Sequence, residues 1–107
     1  MSSDVLARLG ATIKARRAAD AQASYTKKLL DDGVERCAKK FGEEAFETVI
    51  AALREGEQEL ANESADLLYH LLVLLESRSV PFDDVLAVLE ARVGTSGIAE
   101  KASRLPS

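Results

Sequence analysis

Apolar residues recur at helical spacing along most of the chain, and no segment alternates apolar with polar positions in the manner of a half-buried strand. The pattern predicts an all-α protein. From Asp4 to about Arg17, Val5, Leu6, Leu9 and Ile13 recur at helical spacing, and the small-residue stretch from Ala18 to Ala23 follows as a linker. Ser24 stands where it can cap a short helix from Tyr25 to Asp32, which Gly33 ends. A third helix spans about Val34 to Leu53. Gly42 lies inside it at a cost of about 1 kcal/mol against alanine, so helix packing or a ligand is expected to need the space. Arg54, Glu55 and Gly56 form a turn, the fourth helix runs from about Gln58 to Ser77, and Val80-Pro81 stops it. A fifth begins near Asp83 and ends at Gly94, followed by a Gly94 to Gly97 loop and a last turn from Ile98 to Arg104. The expected architecture is a compact bundle of four to five helices, with residues 1–23 as an N-terminal helix and linker and residues 24–107 as the main helical domain.

The fourth helix is the most informative. On a wheel of about 100° per residue, Leu60, Leu67, Leu68, Leu71, Leu72, Leu74 and Leu75 sweep one side, with Tyr69 and Val73 on the other. One narrow polar strip remains, holding Glu59, Glu63, Asp66 and His70. A helix apolar nearly all round is expected to be mostly buried, so these acids should face inward or into a cleft, where they must be paired, protonated or bound to a metal. The third helix places Phe41, Ala45, Phe46, Val49, Ile50, Ala52 and Leu53 on one half and Glu43, Glu44 and Glu47 on the other. Folded back about Gly56, Glu47 stands nine residues before the turn and Glu63 seven after it. Their heights then differ by roughly 3 Å, and Glu44 matches Asp66 equally well. The result is an antiparallel helix pair that converges four carboxylates on one point. All-oxygen donors favour Mg²⁺ or Mn²⁺ over zinc, and carboxylate-held Mg²⁺ is the usual partner of a phosphate chain.

A plainer explanation competes for the third helix, where Lys39 and Lys40 stand four residues before Glu43 and Glu44 and can form a solvated, salt-bridged face. The fourth helix has no Lys or Arg between Gln58 and Ser77 to neutralise its acids. His70 by itself reads more readily as a structural residue, bonded to Asp66 one turn earlier, than as a ligand. One histidine cannot supply a ferritin-like di-iron site.

Charge narrows the function classes. The net charge of -4 argues against a general nucleic-acid-coating role. It hides a split, because residues 1–40 carry nine bases and five acids while residues 41–107 carry five bases and thirteen acids. Cys37 is the single cysteine, so neither an intrachain disulfide nor a cysteine zinc cluster is available. Without a secretory-type apolar core near the N-terminus, and with Leu67 to Leu75 too short to span a bilayer, the expected location is cytoplasmic, with no membrane partner.

The spacing Glu44-x-x-Glu47, fifteen residues, Glu63-x-x-Asp66 resembles the metal signature of the all-α, MazG-like nucleotide pyrophosphohydrolases. The surrounding runs Ser24-Tyr25-Thr26 with Lys28-Leu29-Leu30, Lys39 to Ala45, Glu63 to His70, Ser96-Gly97 and Glu100 to Arg104 together resemble the phosphoribosyl-ATP pyrophosphatase family over roughly residues 24–104. The resemblance implies hydrolysis of phosphoribosyl-ATP to phosphoribosyl-AMP and pyrophosphate, the second step of histidine biosynthesis, by a stand-alone enzyme. It also makes residues 24–107 the pyrophosphohydrolase domain.

On this reading Glu44, Glu47, Glu63 and Asp66 hold Mg²⁺, with Mn²⁺ as the substitute, and Glu43 or Glu47 serves as the base. Lys27, Lys28, Arg36, Lys39 and Lys40 form the local positive charge for substrate phosphates, against the equal reading that they are merely solvated. His70, Lys101 and Arg104 complete the candidate substrate-binding set. Apolar helix surface in excess of what so small a domain covers predicts a homodimer, as the resemblance also implies. A pyrophosphohydrolase of other nucleoside triphosphates and a non-catalytic helical scaffold remain the alternatives.

Overall fold

The computed structural model describes residues 4–20 and 24–93. They form α1 (Asp4–Ala15), a 3-10 turn (Arg16–Ala18), α2 (Tyr25–Asp32), α3 (Val34–Arg54), α4 (Glu57–Ser77) and α5 (Phe82–Val93). No strand occurs among the described residues, as the all-α expectation requires. The Gly94 to Gly97 loop and the turn from Ile98 to Arg104 lie outside the described residues.

Local chemistry sets the boundaries. The Ser24 hydroxyl accepts from the Lys27 amide at 3.2 Å and caps α2. Gly33 then serves two helices at once. Its φ of 98°, a region that penalises any side chain, lets its amide donate to the Leu30 carbonyl while its own carbonyl accepts from Cys37 at the start of α3. At the other end of the long hairpin, α4 closes through the Val80 amide on the Leu75 carbonyl at 2.9 Å, and the Pro81 carbonyl accepts from Asp84 to open α5.

The two 21-residue helices α3 and α4 lie against each other as the antiparallel spine. The core is small and draws on four helices: Ile13 of α1, Leu29 of α2, Cys37 of α3, and Leu72 and Val73 of α4. Leu6, Leu9, Leu30, Tyr69, Leu74 and Phe82 pack around it partly buried, so α1 shares in the same core as the remaining helices. Arg17, just past α1, fixes that docking by pairing with the Glu76 carboxylate and donating to the Glu76 carbonyl.

Two expectations are corrected. The fourth helix is not mostly buried within one chain, for it buries only His70, Leu72 and Val73, and Leu68 is 43 % exposed. A wheel reports how apolar a face is, not whether a neighbour exists to cover it. In α3 likewise Cys37 and Ala51 are buried, while Phe46 (65 % exposed), Val49 and Leu53 (77 % exposed) line an open face. Nor does packing need Gly42, since a Cβ built there meets nothing within 4 Å.

Gly42→Ala should therefore stabilise the protein by about 0.5–1 kcal/mol, because alanine loses less backbone entropy in a helix. Urea denaturation measures it, and a destabilised variant would show that the position is confined after all.

Candidate functional site

The hairpin turn fixes which residues of α3 and α4 stand level. The Thr48 hydroxyl lies 2.8 Å from the Glu44 carbonyl and 3.2 Å from the Glu63 carbonyl, bridging the two helices beside their acids. With that register, carboxylate oxygens of Glu44, Glu63 and Asp66 lie within 4.8 Å of one another. Glu44 and Glu63 are partly buried and Asp66 is exposed, so the cluster opens to solvent on one side. Thr48 was not among the residues singled out from the sequence. Its β-branched side chain looks like an ordinary helix residue until the opposing carbonyl is known.

Like charges this close oppose their own ionisation. The Glu63 carboxyl is pushed above the usual range, first by desolvation and then by repulsion from Glu47, Asp66, Glu44 and Glu55. Glu47 thus stands near enough to be felt, although its oxygens are not in the converging group of three. Three oxygen donors with unneutralised charge and an open side suit a hard divalent cation, which completes its shell with water or phosphate oxygens.

Glu43 is placed differently. Its carboxylate pairs with Lys40 at 3.1 Å, which holds it below the usual range. The Lys40 ammonium is raised in return, first by the bond it donates to Glu43 and next by the nearby Tyr25 phenol. Lys27 pairs within α2 to Asp31 at 2.7 Å, whereas Lys28, Arg36 and Lys39 are exposed. Lys101 and Arg104 lie outside the described residues.

One turn beyond Asp66, His70 is only 7 % exposed. Its Nδ1 bonds the Asp66 backbone carbonyl at 2.9 Å, where the expected bond was to Asp66 without distinction of atom. The Tyr69 ring stands edge-on at 4.9 Å, and Tyr25 stands edge-on at 6.1 Å. Tyr69 is in turn fastened through its hydroxyl to Thr26, so the first turn of α2 is tied to the middle of α4.

A cleft of about 510 Å³ opens elsewhere, between α1 and the end of α4, with Leu6, Gly10, Ala11, Leu72, Leu75 and Phe82 in its walls. None of the clustered acids lines it. Lys14, Arg17, Glu76 and Asp83 also line this cleft, but among the described residues three ligating acids converge only at Glu44, Glu63 and Asp66, which makes the α3–α4 acids the candidate site.

A sequence model described as phosphoribosyl-ATP pyrophosphohydrolase matches residues 6–93, which include the whole acidic cluster. The chain belongs to this family. A phosphoribosyl-ATP pyrophosphatase of Cereibacter sphaeroides is 60 % identical over 100 residues, covering 94 % of this chain and 97 % of that protein. One from Caulobacter vibrioides is 61 % identical over 102 residues, with 95 % and 94 % covered, and one from Dinoroseobacter shibae is 58 % identical over 100 residues, with 94 % and 98 % covered. For a phosphoribosyl-ATP pyrophosphohydrolase family member, the acids on α3 and α4 are the part of the fold whose charge is least explained by stability. The family match begins at Leu6 and so takes in α1, which contributes Ile13 to the core.

The raised Glu63 carboxyl sets a sign for the metal-free protein. Its folded pKa lies above its unfolded one, so ionised Glu63 opposes folding above the folded value, and that penalty fades as pH falls toward the unfolded value. Glu63→Gln should raise the melting temperature of the metal-free protein at neutral pH. Mg²⁺ at ten times its Kd should raise the wild-type melting temperature by about 5–10 °C and leave Glu63→Gln nearly unmoved. Thermal scans with and without Mg²⁺ decide it, and an equal Mg²⁺ response in both proteins would move the metal site away from Glu63.

Proposed function

We infer that this protein hydrolyses phosphoribosyl-ATP to phosphoribosyl-AMP and pyrophosphate, the second step of histidine biosynthesis. The observation that carries the reading is the convergence of Glu44, Glu63 and Asp66 in a chain that belongs to the phosphoribosyl-ATP pyrophosphohydrolase family. The chemistry follows from the substrate. Water adds to phosphorus at the α–β anhydride, the bridging P–O bond breaks, and the proton of the water passes to a base.

The proposed cofactor is Mg²⁺, with Mn²⁺ able to replace it. The donor set fits, being all oxygen, closely spaced and mutually repulsive in its absence. When bound, the ion spreads the negative charge of the phosphate chain and makes a coordinated water easier to deprotonate. Glu44, Glu63 and Asp66 are its proposed ligands, with Glu47 contributing from the adjacent turn of α3. Glu47 also suits the base better than Glu43, whose pairing with Lys40 lowers its basicity.

Lys28, Arg36, Lys39 and Lys40 are proposed to meet substrate phosphates, Lys40 from one turn before Glu44. Lys101 and Arg104 are proposed to add contacts from the C-terminal segment. Residues 24–107 then carry the pyrophosphohydrolase site, and residues 1–23 support it by closing the core through Ile13. We place the enzyme in the cytoplasm; no helix of the described residues is long and apolar enough to cross a membrane.

Assembly as a homodimer completes the proposal. Phe46, Val49 and Leu53 on α3 and Val88, Leu89 and Val93 on α5 are all at least half exposed, an apolar surface that a second copy would cover. Sedimentation velocity at micromolar concentration should give twice the mass of one chain, and a stable monomer would refute the dimer.

Product analysis with phosphoribosyl-ATP and Mg²⁺ tests the activity, pyrophosphate and phosphoribosyl-AMP being expected in equal amounts. Preferential turnover of ATP in side-by-side competition would instead favour a general nucleoside triphosphate pyrophosphohydrolase. Asp66→Asn keeps size and removes a ligand charge. Its kcat should fall by about 100-fold or more while the circular dichroism spectrum stays unchanged. Retained kcat would remove Asp66 from the site.

A further inference from the structure

Among the described residues, Nε2 of His70 is the one buried side-chain nitrogen or oxygen atom without a hydrogen-bond partner. Leaving such an atom unsatisfied ordinarily costs about 1–3 kcal/mol, so a fold that keeps it calls for an explanation. The ring's other nitrogen settles what kind of partner it lacks. The Asp66 carbonyl bonded to Nδ1 can only accept, so Nδ1 carries a proton, and in that tautomer Nε2 is the acceptor. An acceptor needs a donor, which excludes a fully ionised phosphate oxygen and admits a hydroxyl or an amine. Of the two rings edge-on to the imidazole, Tyr69 is anchored through Thr26, whereas Tyr25 is 52 % exposed at the start of α2 and is the one able to swing aside.

We propose that Nε2 of His70 accepts a hydrogen bond from a ribose hydroxyl on the triphosphate-bearing half of the substrate, reached past the Tyr25 ring, and so makes His70 a specificity-determining residue. The proposal rests on the pyrophosphohydrolase reading above and adds to it the place of the sugar. Asp66 and His70 are four residues apart on α4, a rise of about 6 Å. That span is comparable with the one from an α-phosphate to the ribose hydroxyls of the same nucleotide. Phosphates held at Glu44, Glu63 and Asp66 therefore bring the sugar level with His70. The opposite direction along the hairpin leads to the exposed carboxylates of Glu55 and Glu59 and offers no buried acceptor lacking a partner among the described residues.

The test is a cycle between enzyme and substrate. Wild type, His70→Asn and His70→Gln are each assayed on phosphoribosyl-ATP and on analogues lacking the 2′- or the 3′-hydroxyl of the triphosphate-bearing ribose. Asparagine keeps an amide donor for the Asp66 carbonyl and loses the Nε2 position; glutamine restores an acceptor there. Wild-type kcat/KM should fall at least about tenfold on one analogue. His70→Asn should lose a similar factor on phosphoribosyl-ATP, lose nothing further on that analogue, and be rescued in part by glutamine. Losses that simply multiply for both analogues would overturn the contact. So would wild-type kcat/KM indifferent to both hydroxyls, a result independent of how well any variant folds. A wild-type enzyme inactive on phosphoribosyl-ATP would sink the underlying reading and this contact with it, and is told apart by the absence of any product.

Discussion

The register between α3 and α4 governs the rest of the molecule. An antiparallel pair can slide in steps, and a shift by one turn would leave each acid opposite the wrong partner. The Glu55–Gly56 turn limits the choice, and the Thr48 hydroxyl, lying between the carbonyls of Glu44 and Glu63, joins the two helices at the level of the cluster. Backbone carbonyls so tied hold their own Cα atoms in place, and the carboxylates inherit that placement. The same pairing sets Cys37 and Val73 in the shared core and leaves His70 beneath the start of α2.

Against this mechanical order stands an electrostatic conflict. Three carboxylates meet within 4.8 Å, and Glu63 is resisted in its ionisation by desolvation and by four neighbouring acids. Stability alone would favour neutral polar residues there. Nearby cations do not resolve the conflict, because Lys40 is engaged with Glu43. The arrangement is reasonable for a surface that works with a divalent ion and an anionic substrate, where charge repulsion in the unliganded protein becomes affinity on binding. On the proposed function, Lys28, Arg36, Lys39 and Lys40 of the basic first part would face phosphate while the acids of α3 and α4 would face metal.

Much of this could be read from residue order. Ser24, Gly33, Gly56 and Pro81 mark helix ends through chemistry confined to a few neighbouring residues, so the helices appear in the structure within a residue or two of expectation. Glu44, Glu63 and Asp66 were legible because a tight turn makes antiparallel height simple arithmetic. What the sequence withheld depends on partners distant along the chain. Thr48 acquires its role only when the Glu63 carbonyl is opposite it. The burial of α4 was overestimated because hydrophobicity states a demand for cover, and Phe46 and Leu53 show that one chain leaves that demand unmet. Gly42 was expected to make room for helix packing or a ligand, and the open space beside it removes the packing alternative.

The clasp between Arg17 and Glu76 joins positions 59 residues apart and seats the N-terminal helix against the last turn of α4. Synthesis produces α1 before α4, whose Leu72, Val73 and Glu76 receive it. Twelve residues of helix are marginal in water without a packed face. During synthesis, α1 must therefore wait unprotected on the ribosome until α4 has emerged, and its docking is a late, post-hairpin event. Helix α1 is thus made well before the α4 residues that secure it, and over that interval it is open to chaperones and proteases.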